Sequence, residues 1–320
     1  MATEKVWDCI IIGGGPAGYS AGIYAVRANM KVLCIAGEKA GGQLMLTTDV
    51  EDYPGFKKIQ GPELMKLMRE HTEGLGVEII NEDVTKVDFK NKSLEIFVGK
   101  QKFLAKVVII ATGASPKLLG IPSEKRLFAK GVSTCAVCDG FFFKGKPLAV
   151  IGGGDTAMRE ALYLAKLGCK VTVVHRRDKL KAQPVLANRA FQNPNIKFLW
   201  NSVVDEILGK DKVEGVRVKD VNTGKTAELK LNAVFVAIGH KPNTDFLKGQ
   251  IKLDDHGYIA LKNETGTSVG GVFAAGDVHD YRYMQAVTAA GAGCKAALDA
   301  HAYLEEKLPI QPESKKAKKT

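Results

Sequence analysis

No apolar run in the 320 residues approaches the ~20 positions a membrane-spanning helix needs, so no membrane role is expected. Cysteine is sparse: there are six, and only Cys135 and Cys138 lie close together. That pattern is not a secreted disulfide framework, and it fits a reducing, cytoplasmic setting. There is no second CxxC and no spaced histidine pair, so no metal site is expected. Aromatics make up 7% of the chain and are not interleaved with its basic residues, which argues against nucleic acid as a partner despite a net charge of +11. Four lysines of that excess fall in the tail, Lys315, Lys316, Lys318 and Lys319, which reads as a solvated segment. No signal peptide is expected, because Met1 to Asp8 runs straight into an apolar stretch with no cleavage-type boundary.

Glycine, by contrast, is abundant at 34 residues, and much of it precedes helical stretches. The run Cys9-Ile10-Ile11-Ile12 reads as a buried parallel strand. Gly13-Gly14-Gly15-Pro16-Ala17-Gly18 follows at once, then a helical stretch from Tyr19 to Asn29 and a second strand from Lys31 to Ile35. This is a βαβ unit with GxGxxG at its first turn. Gly13 permits the tight turn, Gly15 lets backbone approach a pyrophosphate, and Gly18 lets helix and strand pack closely. The acid that usually holds a ribose is not at the strand end; Glu38 lies near the right count but past it. Gly41-Gly42-Gln43-Leu44 can bring backbone to a flat ring. Gly61 to Leu75 reads as an amphipathic helix, and Glu78 to Phe103 as short strands of an antiparallel layer. Lys106 to Ile110 is another apolar strand, ending in Ala111-Thr112-Gly113.

The pattern then repeats. Pro147 to Ile151 is a strand, Gly152-Gly153-Gly154-Asp155-Thr156-Ala157 is its turn, a helix runs to about Leu167, and Cys169 to Val174 is the next strand. That strand ends in His175-Arg176-Arg177, with Lys181 nearby. Two guanidinium groups there suit a 2′-phosphate, which points to NADPH. The second half closes on Ala237-Ile238-Gly239 as the first closes on Ala111-Thr112-Gly113, and two dinucleotide folds imply two dinucleotides, a flavin and a nicotinamide. Downstream, an apolar strand ends in Gly276-Asp277, whose carboxylate can meet sugar or ribityl hydroxyls, and a long helix follows from about Met284 to Lys307. The fold class is α/β: two Rossmann-like, three-layer dinucleotide-binding domains, the second inserted into the first. The boundaries fall at 1–117 with 245–320 for the flavin domain and 118–244 for the NADPH domain.

Inside the insert stands Cys135-Ala136-Val137-Cys138-Asp139-Gly140. Such spacing lets two sulfurs pair and lets a thiolate form near neutral pH, with Asp139 placed to take or give a proton. Half a zinc site and an inert structural disulfide are the other readings of a CxxC. The remaining cysteines, Cys9, Cys34, Cys169 and Cys294, read as small buried apolar residues.

Together these motifs, in this order from Val6 to about Leu304, resemble the low-molecular-weight thioredoxin reductases. The resemblance implies FAD in the first domain, NADPH in the insert, a homodimer, and electron flow from NADPH through FAD to the Cys135–Cys138 disulfide and then to thioredoxin. It also implies that Cys138 lies nearer the flavin, that Cys135 attacks thioredoxin, that Asp139 is the acid/base, that Gln285-Ala286 opens the helix at the flavin, and that the NADPH domain rotates during turnover. The chain departs from the family pattern at Arg159, Lys181 and Met284. The alternative is a related flavin-dependent disulfide oxidoreductase with another donor or acceptor.

Overall fold

Cys9 to Ile12 offers water no polar side chain, and the fold uses it as a central strand. The computed structural model describes residues 5–47, 49–90 and 93–307; the lysine-rich tail lies outside the described residues. Strand β1 (Val6–Ile12) leads through the Gly13–Gly15 turn into helix α1 (Pro16–Arg27), and the chain returns as β2 (Val32–Ile35), parallel to β1. A helix over Gly61–Gly74 then carries it to a short strand, Glu78–Ile80, parallel to β2. The sequence had placed 78–80 in an antiparallel layer. The intervening helix decides otherwise, because a strand–helix–strand crossover on one sheet closes parallel. Lys86–Asp88 and Leu94–Val98 pair antiparallel, and Leu94–Val98 in turn pairs antiparallel with the start of β3 (Gln101–Ile110).

Strand β3 does two jobs. One edge pairs with β1 along most of its length. The other edge takes Leu94–Val98 antiparallel over its first half and a later parallel strand over its second half.

After β3 the chain enters a second unit by way of Ala114–Pro116. Here the redox stretch forms a one-turn helix, α2 (Ala136–Asp139), followed by β4 (Pro147–Ile151), α3 (Asp155–Lys166) and β5 (Lys170–Val174). A five-stranded parallel sheet runs in the order Val132–Ser133, β6 (Ala233–Val236), β4, β5, Ile196–Leu199. Strand β4 alternates faces: Leu148 and Val150 join a core with α3, while Ala149 and Ile151 join a core with the antiparallel strands Ser202–Leu208 and Gly215–Asp220. The result is three layers, as the period-2 alternation of a strand buried on both faces requires.

The chain leaves this unit through His240–Pro242, which pairs with Ala114–Pro116. Between 243 and 260 the chain forms a 3₁₀ turn, Asp245–Leu247, and a bridge between Leu253 and Ile259. The first unit is completed by β7 (Val272–Ala274), parallel to β3, and the 22-residue helix α4 (Ala286–Lys307). Helices α1 and α4 pack backbone to backbone: a Cβ at Gly293 would lie 2.0 Å from the Ala17 carbonyl oxygen. By contacts the chain divides into one unit built from residues up to Met45, Pro62–Gly113 and the chain from Pro242 onward, and another built from Leu46–Gly61 and Ala114–Lys241. The Leu46–Gly61 excursion has no sequence signal, since its two paired strands are two residues each.

Candidate active site

In the first unit the sequence-predicted residues gather at the C-terminal ends of parallel strands. Gly13 follows β1, Glu38 follows β2, Ala111-Thr112-Gly113 follows β3 and Gly276-Asp277 follows β7. Gly13 has φ +119°, and a Cβ there would sit 2.3 Å from the Ala111 carbonyl oxygen; one at Gly18 would sit 1.8 Å from the Gly13 carbonyl oxygen. Gly15 is different, because a Cβ there meets nothing within 4 Å. The protein does not need that glycine for packing, and the turn leaves space over the start of α1, where no side chain caps the helix. Backbone amides without protein partners above such a space suit a pyrophosphate. Pro16 opens the helix and Ala17 is buried against the last glycine strand: a Cβ on Gly276 would come within 3.0 Å of the Ala17 Cβ. Gly42-Gln43-Leu44 lies in a 3₁₀ turn brought to the fingerprint by the Gly41 N–H, which donates to the Gly14 carbonyl at 2.7 Å.

Glu38 is exposed past the strand, and its N–H donates to Asp83 Oδ1 at 3.0 Å. Asp83 is thus a second carboxylate at the end of β2, delivered by a distant loop that no local spacing reveals. Thr112 is fixed by a reciprocal pair with Asn243 at 2.8 Å each way. Asp277 is largely buried, and burial with Asp280 beside it raises its carboxyl to about 7. His279 is half-buried; its Nε2 has no hydrogen-bond partner, and burial lowers its pKa. Ala286 starts α4, with Gln285 immediately before it and Met284 before that in a left-handed conformation (φ 49°).

The second unit repeats the construction. A Cβ on Gly152 (φ +147°) would lie 2.4 Å from the Ala237 carbonyl oxygen, matching the Gly13–Ala111 contact, and a Cβ on Gly154 would meet nothing. Ala157 is buried in the core under α3. Asp155 is occupied by the Gln183 N–H, which donates to its Oδ1 at 2.7 Å, and the Lys181 N–H donates to the Gly153 carbonyl at 2.7 Å, so the loop after β5 folds back over the fingerprint. His175 is buried there, its ring filling the place a Gly153 side chain would take and its Nε2 at 3.1 Å from the Lys179 carbonyl. Arg176, Arg177, Lys181 and Thr156 are exposed on this edge. Ile238 and Gly239 follow β6, Gly239 with φ +97°.

Cys135 and Cys138 form a disulfide with a Cα–Cα distance of 5.4 Å. Cys135 stands at the N-cap of α2, and the Cys138 N–H donates to its sulfur at 3.1 Å. That donor favours negative charge on Cys135 once the bond opens. Ser133 is a residue the sequence reading missed: its hydroxyl accepts the Cys135 N–H at 3.0 Å and hydrogen-bonds the Asp139 side chain. Burial raises the Asp139 pKa, Asp52 adds to the rise, and the Ser133 bond opposes it. The expected burial of the other cysteines holds for Cys9, Cys34 and Cys169, whereas Cys294 is half-buried on α4.

Among the described residues no helix is long and apolar enough to cross a membrane, and no cluster of three metal-capable side chains occurs. A family model described as pyridine nucleotide-disulphide oxidoreductase matches residues 7–293. The thioredoxin reductase of Rickettsia felis is 50% identical over 310 residues, 95% of this chain and 99% of that protein. The thioredoxin reductase of Mycolicibacterium smegmatis is 47% identical over 306 residues, 95% of this chain and 98% of the relative. Among solved structures, thioredoxin reductase from Giardia duodenalis superposes with a TM-score of 0.91 at 44% identity, covering 94% of this chain and 100% of its own.

Proposed function

We propose, for a chain that belongs to the pyridine nucleotide-disulphide oxidoreductase family and within it to the thioredoxin reductases, that it passes electrons from NADPH by way of FAD to the Cys135–Cys138 disulfide and on to oxidised thioredoxin. The observation that carries this reading is a disulfide held in a turn of the same unit that bears its own nucleotide fingerprint. The residues fit both groups. Each fingerprint has one glycine pressed against a carbonyl and one, Gly15 or Gly154, whose side-chain space is empty. The FAD set is Gly13, Gly15, Pro16, Ala17, Gly18, Glu38, Gly42, Gln43, Leu44, Ala111, Thr112, Gly113, Gly276, Asp277, Gln285 and Ala286. Arg176 and Arg177 supply the cationic, bidentate partners a 2′-phosphate needs, with Lys181 beside them. Bound nicotinamide and flavin together supply the electron pair that opens the disulfide.

The protein's own groups do the rest. Cys138 is the sulfur nearer the flavin, and Cys135 is the nucleophile for the partner. The Cys135 thiolate attacks one sulfur of the thioredoxin disulfide, forming a mixed disulfide and releasing the other sulfur as a thiolate. The Cys138 thiolate then attacks the Cys135 sulfur, re-forming the Cys135–Cys138 bond and expelling the second thioredoxin sulfur. Asp139, whose raised pKa keeps a proton available at higher pH than an ordinary aspartate would, protonates the leaving thiolate. The protein acts as a homodimer in the cytoplasm.

The test is an anaerobic titration of the yellow protein with NADPH, then NADH, then oxidised thioredoxin. Flavin bleaching at far lower NADPH than NADH, with colour restored by thioredoxin, is the expected result. Bleaching that thioredoxin does not reverse would remove thioredoxin as the acceptor. No bleaching by either nucleotide would remove the NADPH reading of Arg176 and Arg177.

A further inference from the structure

Helix α3 meets two neighbours, the core of its unit and the redox turn. Ala157, Met158, Ala161, Leu164 and Ala165 are buried in the core. The stripe Glu160, Tyr163, Leu164 follows the i, i+3, i+4 spacing of one helix face and meets the redox turn: a Cβ on Gly140 would come within 2.7 Å of Leu164 and 3.4 Å of Tyr163. Glu160 therefore stands under α2, where it accepts a hydrogen bond from the Ala136 N–H, the amide next to Cys135. Its Oε2 is buried and has no hydrogen-bond partner. A buried carboxyl with an open acceptor is costly unless the place uses it.

We infer that Glu160 is a positioning residue for the redox turn: by holding the Ala136 amide it fixes the Cys135 end of the disulfide, and its charge sets how readily the Cys135 thiol ionises after reduction. This rests on the reading of Cys135–Cys138 as the redox disulfide. An anionic carboxylate beside Cys135 opposes a second negative charge there, and a neutral carboxyl does not. Burial raises Glu160 to about 8, with the Ala136 bond opposing the rise, so the switch between these two states falls in the working range of a thiol. The titratable and charged groups on the elements packed against α3 are Cys135, Cys138 and Asp139 from the redox turn, Arg189 on the helix Pro184–Phe191, Lys170 in β5 and Lys197 in Ile196–Leu199; α3 itself adds Asp155, Arg159, Tyr163 and Lys166. None of them is a cause of the Glu160 shift.

The test compares Glu160→Gln and Glu160→Ala with the unaltered holoenzyme after reduction with dithiothreitol. Glutamine keeps an acceptor for the Ala136 N–H and cannot ionise; alanine removes both. The readout is the pH profile of Cys135 alkylation by iodoacetamide, followed on the Cys135 peptide by mass spectrometry so that Cys294 does not contribute. Where Glu160 is ionised and the Cys135 thiol is still titrating, E160Q should alkylate faster than the parent, by up to about tenfold for a shift of about one pKa unit in the Cys135 profile, with the two profiles converging at both low and high pH. E160A should show a comparable charge effect together with slower re-oxidation of the turn by thioredoxin, and E160Q should restore that rate. Superimposable Cys135 profiles for E160Q and the parent would overturn the inference. A parent enzyme that alkylates normally but does not reduce thioredoxin would instead count against the acceptor, leaving the role of Glu160 intact.

Discussion

Cys135 and Cys138 differ in their surroundings although they share a bond. Cys135 receives the Cys138 amide, while Cys138 lies inside the turn. Cys138→Ser should therefore leave a yellow, folded protein that retains FAD yet loses NADPH-dependent thioredoxin reduction by about a thousandfold or more, measured in a coupled insulin-reduction assay. Asp277 gives a pH prediction. Its folded pKa, about 7, lies above the ordinary aspartate value of 3.8, so the fold prefers its neutral form. The stability this contributes is complete below the unfolded value and is lost as pH rises through about 7. The unfolding free energy of FAD-free protein, taken from urea titrations, should fall between about pH 4 and about pH 7 by up to about 1.4 kcal/mol per pH unit from this group, and Asp277→Asn should flatten the fall. At this scale the sequence showed the cysteines, Asp139 and the glycines, because short spacings carry their chemistry. It hid Glu160, which reads as one more polar position on an amphipathic helix, and Asp83, which reaches β2 from a loop 45 residues beyond Glu38.

At the scale of single elements, the two strand-to-helix turns separate glycines that serve packing from glycines that serve a ligand. Gly154 has extended backbone (φ −98°, ψ −175°) and empty side-chain space. Gly154→Ala should leave thermal stability within about 0.5 kcal/mol of the parent, as an uncrowded substitution does. The KM for NADPH should rise about tenfold, because the added methyl occupies the path of a pyrophosphate. Gly293→Val is the opposite case: its side chain would drive into the Ala17 carbonyl and force α1 and α4 apart, costing about 3 kcal/mol or more in urea unfolding. Strands β1, β3, β4 and β5 were legible because burial on both faces leaves apolar runs within them, as at 9–12, 107–110, 148–151 and 173–174. Glu78–Ile80 was not legible as parallel, since three residues carry no period and its direction is decided by the helix before it.

For the whole molecule, the repeat of fingerprint, strand and closing Ala-x-Gly was legible, whereas the Leu46–Gly61 excursion was not, for its two paired strands are only two residues each. A homodimer predicts a sedimentation mass of about twice the 34.5 kDa of the chain, unchanged by NADPH; a species at the chain mass would refute it. The paired crossing strands, Ala114–Pro116 and His240–Pro242, bring the way in and the way out of the insert to one strand spacing, about 4.8 Å. For the host, the insert is then a closed loop whose mouth is already shut, so its length adds little to the entropy of folding around it. A cut at that mouth leaves the second unit with adjacent ends but without Leu46–Gly61, which the first stretch of the chain lends it, so that excursion is the one thread that would still tie the two cassettes together.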